Sequence, residues 1–334
     1  MTKCFGAAAT VFFLLSIPPA TLAQGKPEKE RIRIGYSSST VSMSIPFAAV
    51  QAGFFREEGI QAEVIRTAGS IAPMVLIAKE TEFSIMSALL LIPASIRHGD
   101  LVMLGGFSSR FAGQVLVSRP EIRRADDLRG KIVGVQRPGD AFDINTRISL
   151  RHLGLDPDRD VKLLYLGDSP LLWPALETGK VAAALLSPPR TVWARKAGMN
   201  FLVITSDLKV HFQGASITAH RTFIKNHPNL THRVLRAMVR GVHLLRTRRE
   251  EGIRILGKFL GTDDREALEE TYNFYVPELP VKPYVVESSV QAVLNHLAKV
   301  DPRYGERKPA DFIDSGPLSE VDRSGVIERL YSNR

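Results

Sequence analysis

Six short turns hold the residues of this chain best suited to gripping a small molecule: Ser37-Ser38-Ser39-Thr40, Gly69-Ser70, Ser87, Pro138-Gly139-Asp140, Gly167-Asp168-Ser169 and Ser187-Pro188-Pro189. Each follows a short apolar run and precedes a helix-period segment. Ser and Asp before a helical pattern are N-cap residues, and Pro fits the first helical position because its missing N–H would be unpaired there anyway. Hydroxyls donate to carboxylate, sulfonate or ring acceptors, and glycines let a ligand approach the backbone. One helix N-terminus favours an anion by only about 0.3–1 kcal/mol, whereas micromolar capture needs about 8 kcal/mol. Several turns must therefore act together. The expected ligand-binding set is Ser37, Ser38, Ser39, Thr40, Gly69, Ser70 and Ser87 from the first half, and Gly139, Asp140, Asp168, Ser169 and Ser187 from the second. Gln213 joins them from a chain crossing. The alternative for each is plain helix capping.

Asp140 and Asp168 leave two readings open. Either they are caps that satisfy the N–H groups an anion would want, or the ligand brings amine or ring N–H groups to them. Arg110 and Arg137 are either countercharges or solvated surface residues. Catalysis finds little footing. Gly167-Asp168-Ser169-Pro170-Leu171 resembles the Gly-Asp-Ser block of a hydrolase family, but the downstream Asp-x-x-His pair is missing, and a serine without a positioned base is inert. The eight histidines include no His-x-x-x-His pair; His227 and His232 are five apart around a helix start. There is no Walker-type or dinucleotide glycine pattern. No catalytic residue, metal or cofactor is expected.

The turns are positioned by strand-turn-helix units. In residues 128–190 the apolar runs 131–136, 161–166 and 181–186 have the length of buried parallel strands, and each leads into a turn and a helical segment. Three helix N-termini thus reach one side of a sheet, beyond the carboxyl ends of its strands, where open α/β sheets bind ligands. The first half repeats the layout, with strands at 31–36, 61–66, 82–86 and 101–107 and helices over 44–57, 71–79 and 88–98. Residues 114–118 read as a strand leaving that sheet, 200–205 and 212–219 as further extended runs, and everything after His220 as helical. The expected organisation is lobe 1 from 31–113 and 219–334, lobe 2 from 119–212, and hinge segments at 114–118 and 213–218.

The 334 residues are enough for two cores, and 44% hydrophobic with 24% charged residues is a globular balance. At the N-terminus, Lys3, the apolar run 5–17 and Ala20-Thr21-Leu22-Ala23 read as a signal peptide over 1–23, cleaved near Ala23; an uncleaved anchor is the alternative. The only cysteine, Cys4, precedes the apolar run, so the cleaved chain would have no thiol and no lipid-acylation site. A formal charge of +9 invites nucleic acid, but the arginines are dispersed and the chain reads as exported, so no nucleic-acid partner is expected. The densest run, Arg233, Arg236, Arg240, Arg246, Arg248 and Arg249, alternates with Leu235, Met238, Val239, Val242 and Leu245. It reads as an amphipathic helix with a solvated basic face, or as a docking surface for an acidic partner.

Gly35-Tyr36, Pro46-Phe47-Ala48, Gln51-Ala52-Gly53-Phe54-Phe55, Glu58-Gly59-Ile60 and Glu63-Val64 together resemble the opening of the exported solute-binding proteins of nitrate, sulfonate and taurine ABC importers. Asp127-Leu128-Arg129-Gly130-Lys131-Ile132-Val133-Gly134-Val135 is similar to that family's entry to its second lobe, and Leu176-Glu177-Thr178-Gly179-Lys180-Val181 with Leu185-Leu186-Ser187-Pro188-Pro189 to its interior. The chain departs from the family's Gly-x-Val-Asp turn before the third strand, where it has Lys79-Glu80-Thr81-Glu82-Phe83. The resemblance implies an α/β, two-lobed periplasmic-binding-protein fold of type II with two hinge crossings and C-terminal helices packing on lobe 1. It further implies a small-molecule ligand, an ABC permease in the membrane as partner, and a monomer. The family's thiamine-pyrimidine enzymes carry a cysteine-rich motif that this chain lacks.

Overall fold

The computed structural model describes residues 26–67, 69–109, 113–208 and 212–332. The expected signal peptide, Cys4 and Arg110 lie outside the described residues. The short apolar runs become ten strands: β1 (Arg31–Tyr36), β2 (Gln61–Arg66), β3 (Phe83–Met86), β4 (Leu101–Gly106), β5 (Val115–Ser118), β6 (Ile132–Val135), β7 (Lys162–Tyr165), β8 (Ala183–Leu186), β9 (Asn200–Ile204) and β10 (Ser216–His220). They form two five-stranded sheets, ordered β2-β1-β3-β10-β4 and β7-β6-β8-β5-β9. The interior strands β3 and β8 are buried along their whole length; the edge strand β4 is equally buried, with Met103 bridged to Ile313 of the tail, while the edge strand β2 is half exposed.

β1 pairs in parallel with β2 and β3, and β6 in parallel with β7 and β8. β10 lies antiparallel between β3 and β4, and β5 antiparallel between β8 and β9. Each lobe therefore contains one strand that arrives from the other. This corrects the hinge boundaries read from sequence. Val115–Ser118 is fully paired inside the second sheet and Ser216–His220 inside the first, so neither run can flex freely. The described parts of the crossings are 107–109, 113–114, 205–208 and 212–215. They clamp one another: Gly214 N donates to Ser108 O at 2.9 Å, Phe107 N to Ala215 O at 2.7 Å, and Thr205 N to Gln114 O at 2.9 Å.

Lobe 1 packs around Ile34, Phe55, Phe83, Ile85 and Leu104, and lobe 2 around Leu116, Val133, Leu176 and Leu185. The expected single helix over 44–57 is two, Ile45–Gln51 and Phe54–Glu57, broken where Gly53 takes φ +78°. The tail helices Pro228–Thr247, Gly316–Arg323 and Val326–Ser332 join lobe 1's core. Gly241 allows the longest of them to close on Ile45–Gln51, because a Cβ there would stand 3.0 Å from Ile45 O. The tail also reaches lobe 2. Helix Arg265–Tyr275 meets helix Arg190–Lys196, with Trp193 Nε1 donating to Asp264 Oδ2 at 2.9 Å, Lys196 on Glu266 at 2.8 Å, and Arg195 paired with Glu270. Among the described residues no helix is long and apolar enough to cross a membrane.

The basic face of Pro228–Thr247 is neither solvated nor a free docking surface over its first half. Arg236 forks onto Glu58 at 3.0 and 2.6 Å, Arg233 donates to Glu58 O at 2.8 Å, and Arg240 pairs with Glu57 while lying 4.1 Å over the Phe54 ring. These arginines fasten the helix to lobe 1. Removing one partner of a nearly buried pair strands the other, at about 3–5 kcal/mol. Glu58→Ala is thus expected to lower the stability of the full chain measured by urea unfolding by that scale, whereas Arg254→Ala, at an exposed position of the following helix Arg249–Leu260, leaves it nearly unchanged.

Candidate functional site

Both sheets aim the carboxyl ends of their parallel strands at the gap between the lobes. β1 runs into Ser37 and Ser38, both buried; Ser37 N donates to Ile85 O at 3.1 Å, which pins the turn to the neighbouring strand. β3 runs into Ser87, whose Oγ accepts from Leu89 N at 3.2 Å and donates to Gln213 O at 3.3 Å, joining a helix cap to a crossing. From lobe 2, β6 delivers Gln136, and Asp140 caps helix Ala141–His152 by accepting from Asp143 N at 2.8 Å. The lobes meet closely: a Cβ at Gly69 would stand 3.1 Å from Asp140 Cβ.

These pieces enclose a cavity of about 90 Å³. Of the residues expected from sequence, Ser37, Ser38, Thr40, Gly69, Ser87 and Asp140 line it. Ser39, Ser70, Gly139, Asp168, Ser169, Ser187 and Gln213 do not. Ser39 is buried away from the cavity, and Gly139, at φ +73°, is exposed. Ser169 is buried behind the turn, its N–H held by Asp168 Oδ1 at 2.8 Å. Gln213 braces the crossings, donating to Ser108 O at 3.0 Å and accepting from Val286 N at 3.1 Å. The sequence reading missed Gln114, Gln136, Phe142, Asn145, Tyr275 and Glu278. Asn145 could have been found, since it stands four residues after Ala141 on the face that Asp140 caps. Tyr275 and Glu278 come from the tail, and no local signal marks them.

Both aspartates serve as caps, Asp140 accepting from Asp143 N and Asp168 from Ser169 N, each at 2.8 Å. Asp168 also forms an ion pair with Arg66 that crosses from lobe 2 to lobe 1. Asp140 alone of the two lines the cavity, and burial, with Asp143 adding to it, pushes its carboxyl up to about 6 against the pull of its backbone hydrogen bonds. The charged residues described in the cavity wall, Asp140 and Glu278, are both acidic.

Polar atoms without partners gather here. Ser38 Oγ, Gln136 Nε2 and Asn145 Oδ1 are buried, line the cavity and have no hydrogen-bond partner, although Asn145 Nδ2 donates to Gln114 Oε1 at 2.6 Å. Ser187 Oγ and Arg190 Nη1, at the carboxyl end of the adjacent strand β8, are in the same condition. Each such atom costs about 1–3 kcal/mol.

Two crossed sheets with a polar gap at their strand ends define a two-lobed periplasmic-binding-protein architecture. The chain belongs to the NMT1-like family, whose model matches residues 25–259. No curated protein matches it. Among solved structures it is similar to the alkanesulfonate-binding protein SsuA from Xanthomonas axonopodis pv. citri bound to MOPS, at 19% identity over 88% of this chain and 98% of that one, with a TM-score of 0.66. It is also similar to the periplasmic nitrate-binding protein NrtA from Synechocystis PCC 6803, at 12% identity over 90% of each chain and TM-score 0.73. A third similar structure is the desulfurization enzyme DszB, at 15% identity over 88% and 99%, TM-score 0.64. Identities this low speak for the fold.

The raised carboxyl of Asp140 has a signed consequence for stability. The fold binds its proton more tightly than the unfolded chain does, so stability is fully present below about pH 4 and is lost as pH rises towards about 6. Asn caps helices as well as Asp. Asp140→Asn is expected to raise Tm at pH 7.5 and to change it little at pH 4, seen as a flattened Tm-against-pH curve for the apo protein.

Proposed function

We propose that this protein is an exported solute-binding component of an ABC importer. It traps a small anionic or heterocyclic, nitrogen- or sulfur-containing compound between its lobes and hands it to a membrane permease, acting as a periplasmic monomer without catalysis or cofactor. The observation that carries this is the set of buried, unpartnered donors and acceptors facing one interlobe gap: Ser38 Oγ, Gln136 Nε2 and Asn145 Oδ1. A solute that pairs with all three recovers several kcal/mol, on the scale of micromolar binding. The sulfonate- and nitrate-binding proteins of like fold support the same reading. A hydrolase centred on Ser169 draws no such support, because Ser169 is buried off the cavity and no histidine is among the described residues lining it.

A ligand at a hundred times its Kd stabilises the fold by about 2.7 kcal/mol, which thermal unfolding detects. Nitrate, taurine, MOPS, pyrimidines and aromatic acids form the panel, and at least one is expected to raise Tm in a concentration-dependent way. No shift with any of them sinks the proposal. Gly69→Val adds a branched side chain where a single Cβ already approaches Asp140 to 3.1 Å. It should hold the lobes apart and weaken the active panel member about tenfold, one power of ten being about 1.4 kcal/mol, with the apo Tm unchanged.

A further inference from the structure

Arg190 is the single lysine or arginine among the described residues that is more than nine-tenths buried, at 5% exposure. It follows Ser187-Pro188-Pro189 at the carboxyl end of β8, beside the strand that delivers Gln136. Its Nη1 has no hydrogen-bond partner, and neither has the Oγ of Ser187, itself 1% exposed. The other cations of its helix, Arg195 and Lys196, are paired with Glu270 and Glu266. Arg190 has no such partner. The nearest acid in its field, Asp168, is committed to Arg66 and to Ser169 N, so two guanidiniums share one carboxylate where the lobes meet. Burial and the Arg66 charge both work against the charged form of Arg190. A guanidinium stays protonated in proteins, so this is a buried charge offset only by its share of Asp168, an arrangement that favours the arrival of a further anion.

We infer that Arg190, with Ser187 and Gln136, is the arm of the cleft that selects the solute's charge: the cargo carries an oxyanion, a carboxylate, sulfonate or phosphoryl group, that pairs with Arg190. This rests on the solute-binding reading above and refines it. The geometry divides the cleft into two poles. The cavity proper, with Asp140 in its wall, disfavours an anion and receives the neutral or N–H-bearing part of the solute. The oxyanion goes to the neighbouring strand end, where Arg190 Nη1 and Ser187 Oγ are buried and unpaired. A solute with only amine groups would leave Arg190 Nη1 unanswered.

The test compares wild type with Arg190→Met and Arg190→Lys, using taurine and MOPS as oxyanion probes in titration calorimetry and thermal unfolding without ligand. Arg190→Met is expected to unfold at or above the wild-type Tm in the absence of probe, because it removes an unpaired buried charge. It should bind the probes about thirtyfold or more weakly, the scale for losing one side of a buried charged hydrogen bond. Arg190→Lys, which keeps the charge and loses the fork, should fall between, and decides the matter if the Met variant does not fold. If wild type binds a probe and both variants bind it equally well, the inference falls and the solute-binding reading stands. If both variants are less stable than wild type without probe, Arg190 is a structural residue and the inference falls. If wild type binds neither these probes nor any other panel member, the solute-binding reading falls and takes the inference with it.

Discussion

Two strands placed antiparallel inside otherwise parallel sheets govern this molecule. β5 is held between β8 and β9, and β10 between β3 and β4, so the chain enters each lobe through its interior and not along its edge. The entering strand is then paired on both sides, and among the described residues the chain passes between the lobes at 107–109, 113–114, 205–208 and 212–215. That arrangement makes each lobe rigid while confining freedom to two adjacent crossings, the condition for hinge closure. It also fixes the direction in which both sheets point their carboxyl ends, and so brings Ser38, Ser87, Gln136 and Asp140 to one gap. The tail adds a third tie between the lobes, through Trp193, Lys196 and Arg195.

The strands were legible because they are interior. Runs such as Phe83–Met86 and Ala183–Leu186 are apolar at successive positions, too short for helices and followed by capping residues, and buried parallel strands leave few other readings. Legibility failed where the answer depended on a distant partner. The basic face of Pro228–Thr247 looks solvated in sequence because Glu57 and Glu58, which hold it, lie some 180 residues away. The hinge boundaries were misplaced for the same reason: Val115–Ser118 reads as a departing strand, and only its pairing with both neighbours shows where it arrives.

The site divides along a similar line. Turn chemistry identified which loops approach the gap, and six of thirteen expected residues line it. It could not say which face of each turn looks inward. Four successive hydroxyls entering a tight helical turn point in different directions, so Ser37, Ser38 and Thr40 reach the cavity while Ser39 is turned into the lobe. Gln136 belongs to the last step of a strand and was passed over in favour of the turn after it. Arg190 was invisible for a subtler reason. An arginine at the start of a helix reads as surface, and only the absence of a counter-ion at full burial marks it.

Charge in the cleft is therefore arranged by position and not by total. Three charges near the lobe junction, Asp140, Asp168 and Arg190, are treated differently by their surroundings. Asp168 is neutralised across the gap by Arg66, and that pair, about a third exposed on both sides, contributes little to stability by itself. Asp140 is tolerated because its cap bonds offset part of its desolvation, which still pushes its carboxyl up to about 6. Arg190 has only a share of Asp168 and an unpaired Nη1, and a guanidinium cannot shed its proton to escape the cost. The cheapest explanation of that cost is a group that arrives from outside the chain. A fold that carries a buried guanidinium with an unpaired Nη1 at one strand end would then spend stability in the absence of solute to gain discrimination in its presence, rejecting the simple amine.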